Sequence, residues 1–186
     1  MSAEVEAACD SFSWARPGRA REPQAVRLGV PHISTGDLFR AHLKEQTPLG
    51  LEAKRFMDAG ALVPDTVTVG MVRTRLAEPD ASKGFILDGF PRTAAQAENL
   101  SAVLEEQGTA LDAVVQFVVP DDVVVGRLLG RGRSDDTENV IRNRLKVYQD
   151  ETVPLLAFYR DRLVRVDAGG EVEEVVNRVT DAVCTR

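Results

Sequence analysis

Five arginines crowd the stretch "GRLLGRGRSDDTENVIRNR" between Gly126 and Arg144, whereas lysine occurs only at Lys44, Lys54, Lys83 and Lys146. A guanidinium presents a planar fork of donors that matches phosphate or carboxylate oxygens, which an ammonium grips less specifically. A GC-rich gene that favours arginine codons would give the same bias. Arg127 and Arg131, at i and i+4, share one helix face. Two further stretches supply anion-binding chemistry. In "PHISTGDLFR" a helix begins around Thr35 to Asp37, so its free backbone N–H groups and Arg40 would meet an anionic group. Thr35 alone would also serve as an ordinary helix cap. In "GFILDGFPRT" Asp88 and Arg92 follow an apolar run and so fall at the carboxyl end of a buried strand, where ligands bind in open parallel sheets. Gln96 sits one helical turn beyond Arg92. Nucleic acid is a weaker partner for these arginines, because net charge is -6 and no aromatic residues interleave with them.

These residues need a scaffold, and the chain spells one by alternation. "GVPHIS" (29–34), "GFILDGF" (84–90), "DAVVQFVVP" (112–120) and "RLVRVDA" (162–168) are short, branched, apolar runs, the pattern of strands buried on both faces. Helical patterns separate them. "DTVTVGMVRTRLAE" and "TAAQAENLSAVLEEQG" each start on a capping residue, and the second ends at Gly108. "DDVVVGRLLGR" opens with two acids at the positive end of the helix dipole. "DTENVIRNRLKVYQDETVPLLAFYRDR" is long, with a kink or break at Pro154, and "EVEEVVNRVTDAVCT" closes the chain. Strand and helix in alternation make an α/β fold with a parallel sheet covered on both faces. A chain of 186 residues, 44% of them hydrophobic, suits one well-buried domain. Cys9 and Cys184 lie near opposite ends without metal-ligand spacing, so two reduced thiols are expected and zinc is not. With no apolar run of membrane-spanning length and no secretory leader pattern, the expectation is a cytoplasmic protein without a membrane partner. Repeats and low-complexity segments are absent, but Met1 to Pro23 carries neither a helical nor a strand period.

Taken in order, "PHISTGDLFR", "MDAGALVPD", "GFILDGFPRT", "LLGRGRSDD", "NRLKVYQDET" and "RLVRVDA" closely resemble the adenylate kinase family, in the bacterial form whose lid is short and lacks zinc. The resemblance runs from about Gln24 to the C-terminus. It implies a three-layer α/β/α P-loop kinase-like fold over residues 24–186, with an AMP-binding insertion at about 34–63 and a short lid at about 130–137. The implied reaction is reversible phosphoryl transfer from MgATP to AMP, giving two ADP, with magnesium carried by ATP and the protein a monomer. By the same resemblance Thr35 and Arg40 contact AMP, Ala61, Leu62 and Val63 lie against its adenine, and Gly89, Phe90 and Pro91 complete the AMP site. Arg92 holds the AMP phosphate, while Asp88 orders water around the magnesium. The Gln96 amide can match the donor and acceptor edge of adenine. Arg127 lies against the ATP adenine with Gly170 beside it, and Arg131 reaches the ATP phosphates. Arg133 and Arg144 converge on the phosphoryl group in flight. Arg142 and Arg178 are expected to be solvated. Such transfer relies on positioning and charge neutralisation, with a lid that excludes water. No nucleophile is needed, so His32 is expected in or near the core and neither it nor His42 has a catalytic part. A kinase for another nucleoside monophosphate is the neighbouring alternative, against which Thr35 and Gln96 favour AMP; a catalytically dead nucleotide-binding protein is the alternative from another class.

The chain departs from the family at its start. A member should open with a central strand running into a Gly-rich loop with a Lys and Ser/Thr that cradles the ATP phosphates. Here "ACDSFSWARPGRAREPQAVRL" stands in that place, without the Lys. The genetic code offers an explanation. Ala8 to Pro23 can be encoded so that reading from the third base gives MRLVLVGPPGAGKGT, an apolar strand and the missing loop. Removing one base from a run of C restores the frame at "QAVRL". Residues 1–23 are therefore expected to be a frame-shifted reading, and the chain as it stands to fold marginally and bind ATP weakly. The first helix is also about one turn shorter than the family's between Leu28 and Gly29. The gene's nucleotides test this reading: codons for Ala8 to Pro23 that spell the loop in a second frame support it, and codons that cannot do so in any frame refute it.

Overall fold

The computed structural model describes Ala25 and residues 29–130, 133 and 136–184. The expectations for residues 1–23, for Leu28 and for Arg131 lie outside these residues. All four anticipated strands form: β1 (His32–Ser34), β2 (Ile86–Asp88), β3 (Val114–Val118) and β4 (Leu163–Asp167). Between them run α1 (Thr35–Lys44), α2 (Pro48–Ala59), α3 (Asp65–Leu76), α4 (Ala94–Glu106), α5 (Asp121–Leu129), α6 (Glu138–Val147) and the single turn α7 (Leu155–Phe158), and α8 (Val172–Cys184) follows β4. Among the described residues no helix is long and apolar enough to cross a membrane.

Pairing is parallel throughout. Among the described residues β1 pairs with β2 and β3 with β4, giving two parallel pairs. Neighbouring residues of β2 serve opposite faces: Ile86 joins Val115, Phe117, Val166 and Val175 in one apolar cluster, and Leu87 joins Ile33, Leu100 and Val72 in another. Side chains alternate along a strand, so a strand buried on both faces must be apolar at consecutive positions. The shared cluster around Ile86 and Val115 also holds the two pairs together. At the carboxyl ends the register sets Ser34 opposite Asp88, two buried polar residues side by side.

Local chemistry explains the helix boundaries. Ser34, Thr47, Thr93 and Thr137 each cap a helix start by accepting a backbone N–H through the side-chain oxygen. The cap of α1 is therefore Ser34, which frees the Thr35 hydroxyl for another use. The long helical pattern after Asp136 breaks earlier than Pro154: regular α-helix stops at Val147, a π turn occupies Tyr148–Thr152, and Pro154 precedes α7. Tyr148 and Thr152 are both buried, and a π turn is one way to keep such residues turned inward.

Helices α1 and α2 pack so closely at Gly50 that a Cβ there would overlap the backbone at His42 and Leu43. Because backbone cannot move aside as a flexible side chain can, Gly50→Ala should destabilise the fold by about 3 kcal/mol, which lowers Tm by roughly 6–12 °C. Thermal unfolding followed by circular dichroism measures this, and an unchanged Tm would contradict the packing.

Candidate functional site

The carboxyl ends of β1 and β2 open into a cleft lined by Thr35, Arg40, Ala61, Leu62, Val63, Asp88, Gly89, Arg92, Gln96, Arg133 and Arg144, together with residues not singled out from sequence. Those additional residues include Gly36 and Phe39 on α1, Met57 and Gly60 near the end of α2, Leu128 on α5, Leu145 on α6 and Tyr148 at the start of the π turn. Ordinary apolar and glycine residues carry no chemical signature, so only the assembled fold picks them out.

Backbone carbonyls at the end of β2 organise the floor. The buried Thr35 hydroxyl lies 3.3 Å from the Asp88 carbonyl oxygen and 3.1 Å from that of Gly89, as donor. Arg92 Nε donates to the same Gly89 carbonyl at 2.9 Å. Gly89 has φ +72°, and a Cβ would come within 2.8 Å of Arg92 Nη2 and 3.0 Å of Thr35 Oγ1. The left-handed backbone favours glycine here, and a Cβ would also push aside the end of the Arg92 side chain. Thr152 Oγ1 donates to the Arg92 carbonyl at 3.0 Å, which ties the π turn to this loop.

The charged side chains enter from separate elements. Arg40, on α1, makes an ion pair with Asp37 one turn earlier, and Arg133 approaches Asp37 from the other side at 3.9 Å. Arg144, on α6, donates to the buried Asp136 carboxylate at 3.1 Å. Asn143 on the same helix donates to the Ala59 carbonyl at 2.7 Å, so the end of α2 and the Ala61–Val63 loop rest against the helix that carries Arg144. Asp88 is buried at the strand end, with His32 Nε2 3.4 Å from Oδ2. His32 is half-buried on β1, while His42 Nδ1 faces the Thr47 hydroxyl at 3.2 Å.

Some of the anticipated residues lie elsewhere. Phe90 is buried in the cluster around Ile33 and Leu100, and Pro91 is also buried, following a cis peptide bond. Arg127 lies at a second place: its Nη1 donates at 3.1 Å to the carbonyl of Ala168, in the loop after β4 that also holds Gly170. Arg178, expected to be solvated, instead donates to the carbonyls of Asp167 and Gly169 and braces this loop. Arg142 is exposed and pairs with Glu138 on its own helix.

Burial alone would raise the pKa of the Asp37 carboxyl, but hydrogen bonding to Arg40, the charges of Arg40 and Arg133, and the Ser34 hydroxyl outweigh it and hold the value below 3.8. A carboxylate with a depressed folded pKa stabilises the fold above its unfolded value, and that contribution is lost as pH falls through the folded one. Carbon-detected NMR titration of Asp37 should give a midpoint below 3.8, moving upward in Arg40→Ala. A midpoint unmoved by that substitution would contradict the pairing.

Comparison with known proteins bears on this arrangement. The adenylate kinase family model matches residues 18–164. The chain is 56% identical over 171 residues to the adenylate kinase of Rhodococcus erythropolis, 57% to that of Nocardia farcinica and 55% to that of Corynebacterium glutamicum strain R. Each alignment covers 90% of this chain and 94% of the relative. Paired strands that end in a cleft lined by arginines, on a chain that matches these relatives over most of its length, place it in the adenylate kinase family of phosphotransferases.

Proposed function

We propose that the cleft binds AMP and that the reaction served by this fold is reversible phosphoryl transfer from MgATP to AMP. The observation that carries this reading is the convergence on one cleft of Arg40, Arg92, Arg133 and Arg144 with the buried Gln96 amide. An anion with several oxygens suits four guanidinium groups, and a base suits an amide. In this reading Thr35 and Arg40 contact AMP, while Ala61, Leu62 and Val63 pack against its base. Arg92, anchored on the Gly89 carbonyl, grips its phosphate.

Transfer then needs charge neutralisation more than covalent help. Arg133 and Arg144 approach the cleft from elements that flank residues 134–135, and both would stabilise the phosphoryl group between donor and acceptor. Arg131 would reach the donor phosphates. The contact between Arg127 and the loop around Gly170 supports a separate seat for the donor base. The buried Asp88 carboxylate would order water around the magnesium carried by ATP, which would screen the phosphate charges. The AMP-binding insertion at about 34–63, the lid at about 130–137, a monomeric state and a cytoplasmic setting complete the proposal, as does a frame-shifted start over residues 1–23 in place of the phosphate loop.

Calorimetric binding of the four monophosphates tests the acceptor half without requiring turnover. AMP should bind more tightly than CMP, UMP or GMP, and Arg92→Ala should weaken AMP by roughly tenfold to a hundredfold, the worth of a charge-assisted bidentate contact. Equal binding of all four, or an Arg92→Ala protein that binds AMP as well as the parent, would overturn the reading.

A further inference from the structure

Gln96 is buried, lines the cleft, and has its amide held at both ends. The Arg92 backbone N–H donates to Gln96 Oε1 at 2.7 Å. Gln96 Nε2 donates to Asp65 Oδ1 at 2.6 Å, and Asp65 Oδ2 accepts from the Thr93 hydroxyl at 3.0 Å. Thr93 is itself the cap of α4, accepting from the Gln96 backbone N–H at 3.2 Å. Thus Asp65, at the start of α3, is fastened to the first turn of α4 by two side-chain bonds.

A primary amide has two N–H donors and two acceptor lone pairs. The bonds to Asp65 and Arg92 use one N–H and one lone pair, which leaves one of each for a base. Rotating the amide by half a turn would set Oε1 against the Asp65 carboxylate and Nε2–H against the Arg92 N–H. An acceptor would then face an acceptor and a donor a donor, in a buried place where unmade hydrogen bonds are costly. Resting on the AMP reading above, we infer that Asp65 is a specificity-determining residue: it locks the Gln96 amide in the one orientation that pairs with a 6-aminopurine. Such a base offers an exocyclic N–H beside an unprotonated ring nitrogen, complementary to the free lone pair and N–H of the locked amide. A 6-oxopurine offers the reverse, an acceptor oxygen beside a ring N–H, and meets the locked amide like-to-like. Asp65 acts on the base through Gln96 and is a positioning residue.

Inosine monophosphate differs from AMP at this edge alone, so the test is the ratio of the two dissociation constants, measured by calorimetry on the full chain without ATP. The parent protein should prefer AMP by roughly tenfold to a hundredfold, the cost of meeting a buried donor or acceptor with its like. Asn at position 65 can either accept from or donate to Gln96, so Asp65→Asn removes its half of the lock. The preference should shrink by about tenfold, chiefly through tighter binding of inosine monophosphate. An unchanged ratio in a folded Asp65→Asn protein overturns the role of Asp65 while leaving the AMP reading intact. A parent that binds neither nucleotide overturns both. Should Asp65→Asn not fold, NMR of the parent decides: one slowly exchanging Gln96 side-chain N–H coupled to the Asp65 carboxylate supports the lock, and two rapidly exchanging protons refute it.

Discussion

The carbonyl of Gly89 accepts from both the Thr35 hydroxyl and Arg92 Nε, and the rest of the site is arranged around that shared acceptor. One bond fixes the start of α1 against the end of β2, and the other aims a guanidinium over the same strand end. Both are accommodated by a residue 89 that lacks a side chain and adopts a positive φ. The remaining charged groups are secured in similar ways by partners on other elements. Asp136 holds Arg144, Asp37 spans Arg40 and Arg133, and Asn143 ties the end of α2 to α6. The cleft is thus a set of cations positioned by the protein's own carbonyls and carboxylates, an arrangement in which little reorganisation is needed when an anion enters.

How much of this was legible beforehand depended on how local each determinant is. β2 and β3 are legible as short branched apolar runs because a strand buried on both faces leaves no polar alternation, whereas β4, expected to be the same, alternates buried Val164 and Val166 with exposed Arg165 and Asp167 and has one solvated face. In β2 the burial of Ile86 and Leu87 on opposite faces follows from the unbroken apolar pattern. Helix ends were legible where a cap and a glycine bracket a periodic run, as in α4. Helix α2 carries equally clear signals, with Thr47 capping and Pro48 in the first turn, but its pattern was not singled out.

Long-range contacts were less accessible. Thr35 reads from sequence as an AMP contact or, taken alone, as a cap; Ser34 takes the cap position and Thr35 bonds across to a strand end more than fifty residues away. Arg178 looked solvated because nothing in its own helix shows that the carbonyls of Asp167 and Gly169 come within reach. The break at Pro154 is present, with α7 starting just after it, and a π turn at Tyr148–Thr152 precedes it, where Tyr148 and Thr152 are buried and Thr152 bonds to the Arg92 loop. Asp65 reads from sequence as the cap of α3, but Pro64 holds that position without a side-chain bond, and the Asp65 carboxylate instead reaches Gln96 and Thr93 where the starts of α3 and α4 meet.

We propose that these 186 residues hold an adenylate kinase acceptor site whose donor loop is encoded out of frame. The most direct measurement is ADP formation from ATP and AMP by two proteins. One is the present chain, expressed from a recoded gene in which no second frame can supply the loop. In the other, the first 23 residues are replaced by MRLVLVGPPGAGKGT. The first should stay near the rate without enzyme and the second should turn over. Robust activity from the first, or none from a folded second protein, would contradict it.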